Sequence, residues 1–163
     1  MPDLIVRAAT LTDAALIATL AREHATYEQG PPATGGAEDF AAGLSDGAFE
    51  CLIAEMSGRA VGFLLFFPVF SSWTGRRGLF LEDLFVRAEA RGHGVGRRLM
   101  VELARIAHSR GGTRIDLVVT ERNVARRFYE QLGLRQVDGW LLYRADAAAI
   151  AILVGEPQNQ APM

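Results

Sequence analysis

The sequence predicts an α/β domain with a hairpin-rich first half and βα units in its second half. Three observations carry this expectation. Short apolar strands recur along the chain, a tight Ser57-Gly58 turn joins two of them, and a long helix-periodic segment follows a glycine-rich turn. The 163 residues, half of them hydrophobic, suit one domain that buries its core without disulfides or metal.

Leu4 to Ala8 reads as the first strand. Thr12-Asp13 offers a cap, and Leu16, Ile17 and Leu20 follow at helical spacing, so a helix runs to about Tyr27. Gly30 to Gly36 breaks it into a loop, and a short helix covers Ala37 to Leu44. Phe49–Met56 and Arg59–Phe67 are two strands of a hairpin, the second ended by Pro68. Trp73 to Gly78 is a polar loop, and Leu79 to Val86 is a fourth strand. After the turn from Arg91 to Gly96 comes a helix with Val95, Leu99, Leu103 and Ile106 on one stripe. Ile115–Val119 is a fifth strand. Asn123–Leu132 is a helix with Ala125, Phe128 and Leu132 inward and Gly133 as its cap. Trp140 to Arg144 is expected as a last strand, before a short Ala-rich helix. One domain over residues 1–152 and a disordered tail over 153–163 complete the expectation.

Net charge is −2 and the pI about 5.9, so nothing electrostatic points to nucleic acid or an anionic membrane as partner. Cys51, the single cysteine, lies in an apolar run and reads as a core residue. The start of the chain lacks a signal peptide pattern, and no apolar segment is long enough to span a bilayer. A soluble cytoplasmic protein is expected. His24, His93 and His108 do not fall at a metal-ligand spacing, so no metal is expected.

Arg91-Gly92-His93-Gly94-Val95-Gly96 stands between a strand and a long helix. Such a turn can aim several backbone N–H groups at one anion, helped by the helix dipole and by Arg97. Glycine there permits positive φ and close approach of a phosphate. A Walker A loop is excluded because Arg97-Arg98 follow the last glycine, and G-x-G-x-G is not the dinucleotide fingerprint. A plain glycine-rich connector remains the alternative.

The same six residues resemble the R/Q-x-x-G-x-G/A motif of the GNAT superfamily of acetyltransferases. Leu81-Glu82-Asp83-Leu84-Phe85-Val86 resembles the strand before that motif, and the run from Asn123 to Leu134 resembles the superfamily's late helix. Tyr27-Glu28, Ser71-Ser72-Trp73, Leu81-Glu82-Asp83 and Asp138-Gly139-Trp140 are similar to the diamine acetyltransferase branch, which acts on spermidine, spermine or thialysine. Ser71 stands where the polyamine enzymes carry an acid, and the thialysine-type relatives are closer in this loop. The resemblance implies a mixed, mostly antiparallel sheet, splayed where the fourth and fifth strands part, with helices on both faces. It implies acetyl-CoA as cosubstrate, a small amine as partner, and a homodimer. A protein N-acetyltransferase and a non-catalytic acyl-CoA sensor are the alternatives.

Acetyl transfer to an amine needs a neutral amine, a polarised thioester carbonyl and a proton for the leaving thiolate. Glu82 is the candidate base, or else a carboxylate that only binds the cation. Asp83 is placed to attract the cation. Tyr129, turned about 100° from Phe128 on its helix, is the candidate acid, or else a boundary aromatic. By resemblance, backbone groups of Leu84, Phe85 and Val86 hold the pantetheine arm, and one N–H polarises the carbonyl. Gly92, His93, Gly94, Val95 and Gly96 hold the pyrophosphate with Arg91 and Arg97. Asn123 caps its helix or lies beside the cofactor. By resemblance Tyr27, Glu28, Trp73, Asp138 and Trp140 complete the amine site, with Trp140 equally readable as a core residue.

Overall fold

The computed structural model describes residues 3–155, which group into two units, one ending at Asn123 and one beginning at Val124. In the first unit, β1 (Leu4–Ala8), α1 (Ala14–Tyr27), α2 (Ala37–Ser45), β2 (Glu50–Met56), β3 (Arg59–Ser71), β4 (Arg76–Val86), α3 (Val95–Ser109) and β5 (Ile115–Leu117) follow in order. The strands form one sheet in the order β1-β2-β3-β4-β5, antiparallel except for the parallel β4–β5 pair. The sheet is therefore mixed and mostly antiparallel, as the resemblance implied.

Local sequence explains the hairpin. Ser57 (φ 51°) and Gly58 (φ 73°) both take positive φ between the paired residues Met56 and Arg59. That is the two-residue turn whose twist matches the flanking strands. Pro68, by contrast, does not end β3, which continues to Ser71. β2 pairs only as far as Phe66, so beyond it β3 has β4 on one side and, among the described residues, an open edge on the other. A proline, with no N–H to donate, fits there. Arg76 to Gly78 likewise belong to β4 and not to the loop.

Opposite residues of an antiparallel ladder share a face, and neighbours alternate. Cys51, Ile53, Phe63, Leu65 and Phe85 therefore face α1, where Ile17 and Leu20 complete one buried cluster. Leu52, Ala54, Leu64, Phe66, Leu79 and Leu81 are buried on the other face. α3 covers it with Val95, Leu99, Met100, Leu103 and Ala107, so Ala107 takes the inward place expected of Ile106. Burial pushes the Cys51 thiol up to about 12, in keeping with a core cysteine.

Two ion pairs tie α1 to the sheet. Arg7 donates to both oxygens of Asp13 (2.9 and 2.8 Å) and to Glu55 (2.9 Å), and holds the Asp13 carboxyl well below the usual carboxylate range. Arg87 donates twice to Glu23 (2.8 and 2.7 Å) and once to the Ala60 carbonyl (2.8 Å).

The second unit contains α4 (Arg126–Gln131) and α5 (Ala147–Leu153). α4 starts later than expected, because Ala125 and not Asn123 precedes its first turn. Its end follows the local signal. Gly133 (φ 90°) donates to the Glu130 carbonyl, and Leu134 donates to that of Tyr129 (3.0 and 3.1 Å), which closes a Schellman cap. The strand expected at Trp140 to Arg144 does not form. A strand exists only with a hydrogen-bonded neighbour, which a run of apolar residues does not by itself provide. The C-terminal residues expected to be a tail lie outside the described residues from 156 onward, while Leu153 closes α5.

Candidate active site

The sequence Leu81-Glu82-Asp83-Leu84 interrupts its own alternation. Leu65 pairs with Asp83 and Phe66 pairs with Leu81, so Glu82 is the extra residue of a β-bulge. The bulge moves Asp83 and Phe85 to the α1 face, whereas Leu81 lies on the α3 face. It coincides with a second event. β5 pairs with β4 only at Leu79, Phe80 and Leu81, so from Glu82 to Val86 β4 keeps β3 on one side and, among the described residues, no strand on the other. Glu82 is exposed at the point where the sheet splays.

Around Asp83 the side chains are tied together. His24 Nδ1 lies 3.3 Å from Asp83 Oδ1, and His24 Nε2 lies 3.8 Å from Glu28 Oε1. Asn123 donates through Nδ2 to Glu28 Oε2 (3.2 Å). Through this amide Asn123 joins the carboxylate at the end of α1. Glu28 owes its place to the way α1 stops. Gln29 adopts a left-handed conformation (φ 54°), and Gly30 and Gln29 donate to the carbonyls of Ala25 and Thr26 (3.1 and 3.2 Å), again a Schellman cap. Tyr27 leans on Phe85 (6.2 Å between centroids), and the Arg91 guanidinium lies 3.9 Å over the Tyr27 ring.

The turn before α3 leaves its donors open. Gly92 (φ 77°) and Gly94 (φ 79°) are left-handed, and a Cβ on either would meet no atom within 4 Å. Glycine is therefore required there by conformation, with open space above the backbone. Gly94 begins α3 without a side-chain cap, so the amides of Gly94, Val95, Gly96 and Arg97 have no acceptor within the helix. Four amides, two open glycine positions and the helix dipole suit a phosphate. Arg91 holds the turn to the strand, donating from Nε to the Val86 carbonyl (2.8 Å), and its own carbonyl lies 2.9 Å from His93 Nδ1.

Other expected residues sit differently. Trp73 is 85% exposed at the tip of the β3–β4 hairpin. Six residues of strand separate Arg76 from Glu82, about 20 Å at the usual rise. Trp140 is 68% exposed and is not a core residue; Asp138 is exposed nearby in sequence. In α4 the burial runs opposite to expectation. Tyr129 is buried, and Phe128 only partly, with the two rings edge-to-face at 5.2 Å. His24 was not singled out from the sequence as a site residue. Its position one helical turn before Glu28 was the available signal. No group of His, Cys, Asp and Glu suited to a metal occurs among the described residues, and none of their helices is long and apolar enough to cross a membrane.

The model of the acetyltransferase (GNAT) family matches residues 16–134. The thialysine N-epsilon-acetyltransferase of Sus scrofa is 30% identical over 171 aligned positions, covering 96% of this chain and 100% of the relative. The L-ornithine N5-acetyltransferase NATA1 of Arabidopsis thaliana is 37% identical over 90 positions, 55% of this chain and 40% of that protein. The solved structure of a predicted acetyltransferase with acetyl-CoA from Clostridium acetobutylicum matches with a TM-score of 0.74 at 18% identity, over 87% of this chain and 96% of that one.

Proposed function

The chain belongs to the acetyltransferase (GNAT) family, and we propose that it transfers the acetyl group of acetyl-CoA to a primary amine of a small diamine, polyamine or thialysine-like molecule. The observation that carries this reading is the bulge at Glu82. It puts a carboxylate at the opening between β4 and β5, with the free edge of β4 and the uncapped start of α3 immediately after it in the chain.

In this reading the amides of Gly94 to Arg97 hold the pyrophosphate, with Gly92, His93 and Arg91 shaping the turn. The edge of Leu84, Phe85 and Val86 takes the pantetheine arm by strand-like hydrogen bonds, as a peptide adds to a sheet edge. One N–H of that edge polarises the thioester carbonyl. Glu82 accepts the ammonium proton, directly or through water, and frees the lone pair that attacks the carbonyl carbon. The C–S bond breaks as the tetrahedral centre collapses, Tyr129 gives its phenolic proton to the sulfur, and the extra proton on the new amide nitrogen is released through water to restore the phenol. Asp83, Glu28 and Tyr27 hold the amine's positive charge. Trp73, Asp138 and Trp140 are assigned to the amine site by resemblance alone. The enzyme works in the cytoplasm as a homodimer.

Free-thiol release from acetyl-CoA tests the reading against spermidine, putrescine, thialysine, lysine and a peptide with a free N-terminus. Turnover with at least one small amine, above that with the peptide, is the expected result. Binding of acetyl-CoA without thiol release from any amine would mark a sensor.

A further inference from the structure

His24 occupies a position between two carboxylates that belong to different elements. Its ring is 18% exposed and stands against Phe63 (centroids 6.4 Å apart, edge-on) and Phe85 (5.6 Å, tilted by 32°). The two apolar rings restrict the imidazole, so its nitrogens point where the packing sends them. Nδ1 lies 3.3 Å from Asp83 on β4 and Nε2 lies 3.8 Å from Glu28, one turn further along α1, both at ion-pair distance. One rigid ring therefore links the strand that carries Glu82 to the end of the helix that carries Tyr27.

We propose that His24 is a positioning residue that holds Asp83 and Glu28 as a fixed pair for the second positive charge of a dicationic amine. The proposal rests on the amine-acetyltransferase reading and deepens it to a substrate class. An imidazolium donates from both nitrogens and orients both carboxylates, whereas a neutral ring donates to one of them and packs beside the other. The ring carries at most one positive charge, so Asp83, Glu28 and the adjacent Glu82 keep a net negative charge for an ammonium. Arg91 lies over the Tyr27 ring and also approaches Phe85 (5.9 Å), and Arg87 is held by Glu23. Asn123 steadies the second oxygen of Glu28, while Asp83 keeps a third of its side chain open at 33%. Two carboxylates held in place before the ligand arrives lose less conformational freedom on binding than two free ones. A molecule with a second ammonium benefits, and a monoamine does not.

The test compares putrescine with n-butylamine, which share a four-carbon chain and differ in the second ammonium. Binding is measured by calorimetry on the CoA-saturated protein, and KM and kcat by thiol release, for the wild type, His24→Leu and His24→Gln. His24→Leu keeps apolar packing against Phe63 and Phe85 and removes both nitrogens; His24→Gln returns one donor. For His24→Leu we expect the Kd and KM of putrescine to rise five- to tenfold, with kcat within twofold and n-butylamine and acetyl-CoA unaffected. His24→Gln should recover most of the putrescine loss, and thermal melting of each variant controls for folding. Equal changes for both amines, or an unchanged putrescine Kd, overturn the proposal and leave His24 a packing residue. If the wild type acetylates amines without favouring putrescine, the His24 proposal alone falls. If the wild type binds and acetylates no amine, the amine-transfer reading falls with it.

Discussion

The surroundings of Asp83 and the turn that starts α3 are built on opposite principles. At Asp83, side chains satisfy one another through His24, Glu28 and Asn123 before any ligand is present. At Gly94 to Arg97, backbone donors have no partner within the helix. The first arrangement fixes where charge sits and preserves a net negative excess that suits an ammonium. The second leaves hydrogen-bonding capacity unspent, and only an anion of the right size uses several amides at once. A bisubstrate site needs both kinds, one to orient an amine and one to anchor a large, highly charged cosubstrate.

The largest effects are expected from the two residues proposed for proton transfer. Tyr129→Phe removes a hydroxyl and should leave acetyl-CoA affinity nearly unchanged while kcat falls by about 10²- to 10⁴-fold, the usual effect of losing a proton-transfer partner. Near-normal kcat on the best amine would make Tyr129 a packing residue, which its burial would also accommodate. Glu82→Gln should lower kcat/KM most at lower pH, where neutral amine is scarce. A change in KM alone, with the pH profile intact, would move Glu82 from base to cation binder.

Gly94→Val strikes the other region. The left-handed φ of 79° disfavours a β-branched residue, and its side chain would project into the open space above the turn. Acetyl-CoA affinity should drop by about tenfold or more, roughly 1.4 kcal/mol per decade. Amine binding should survive. Unchanged acetyl-CoA binding by calorimetry would remove the phosphate assignment.

The two ends of α1 give smaller effects. At its start, Arg7 lowers the Asp13 carboxyl from its ordinary value, so the folded state holds that proton less tightly than the unfolded chain does. The pair's contribution is present above about pH 5 and is lost as pH falls through the unfolded value towards the lower folded one. With Arg7 37% exposed, solvent screening limits this to about 1 kcal/mol. Denaturant titrations between pH 7 and 3 should show the loss in the wild type, and Asp13→Asn should be less stable at pH 7 with a flatter acid limb. At the other end, Gln29→Gly relieves a left-handed side-chain residue in the cap that positions Glu28. A gain of about 0.5 kcal/mol is expected from chemical denaturation, since relief of αL strain is partly offset by glycine's extra entropy. A loss would mean that the Gln29 side chain contributes more than its strain costs.

Features set by neighbouring residues were open to a reader of the sequence. Ser57-Gly58 specifies its turn because both positions must take positive φ, and Gly133 specifies the end of α4 for the same reason. The stripes of α1 and α3, the glycine turn and the strand carrying Glu82 and Asp83 follow from periodicity and motif spacing. What pairing and packing decide was not open in the same way. Pro68 continues a strand because β2 has already ended beside it, a fact about another part of the chain. Trp140 to Arg144 has the composition of a strand and is not one, because strand formation depends on a partner edge. The bulge at Glu82 arises from the register between β3 and β4, and His24 meets Asp83 across 59 residues of sequence only because the sheet carries β4 beneath α1. Local turns and helices answer to local sterics; register, edge exposure and the pairing of distant side chains answer to the whole sheet.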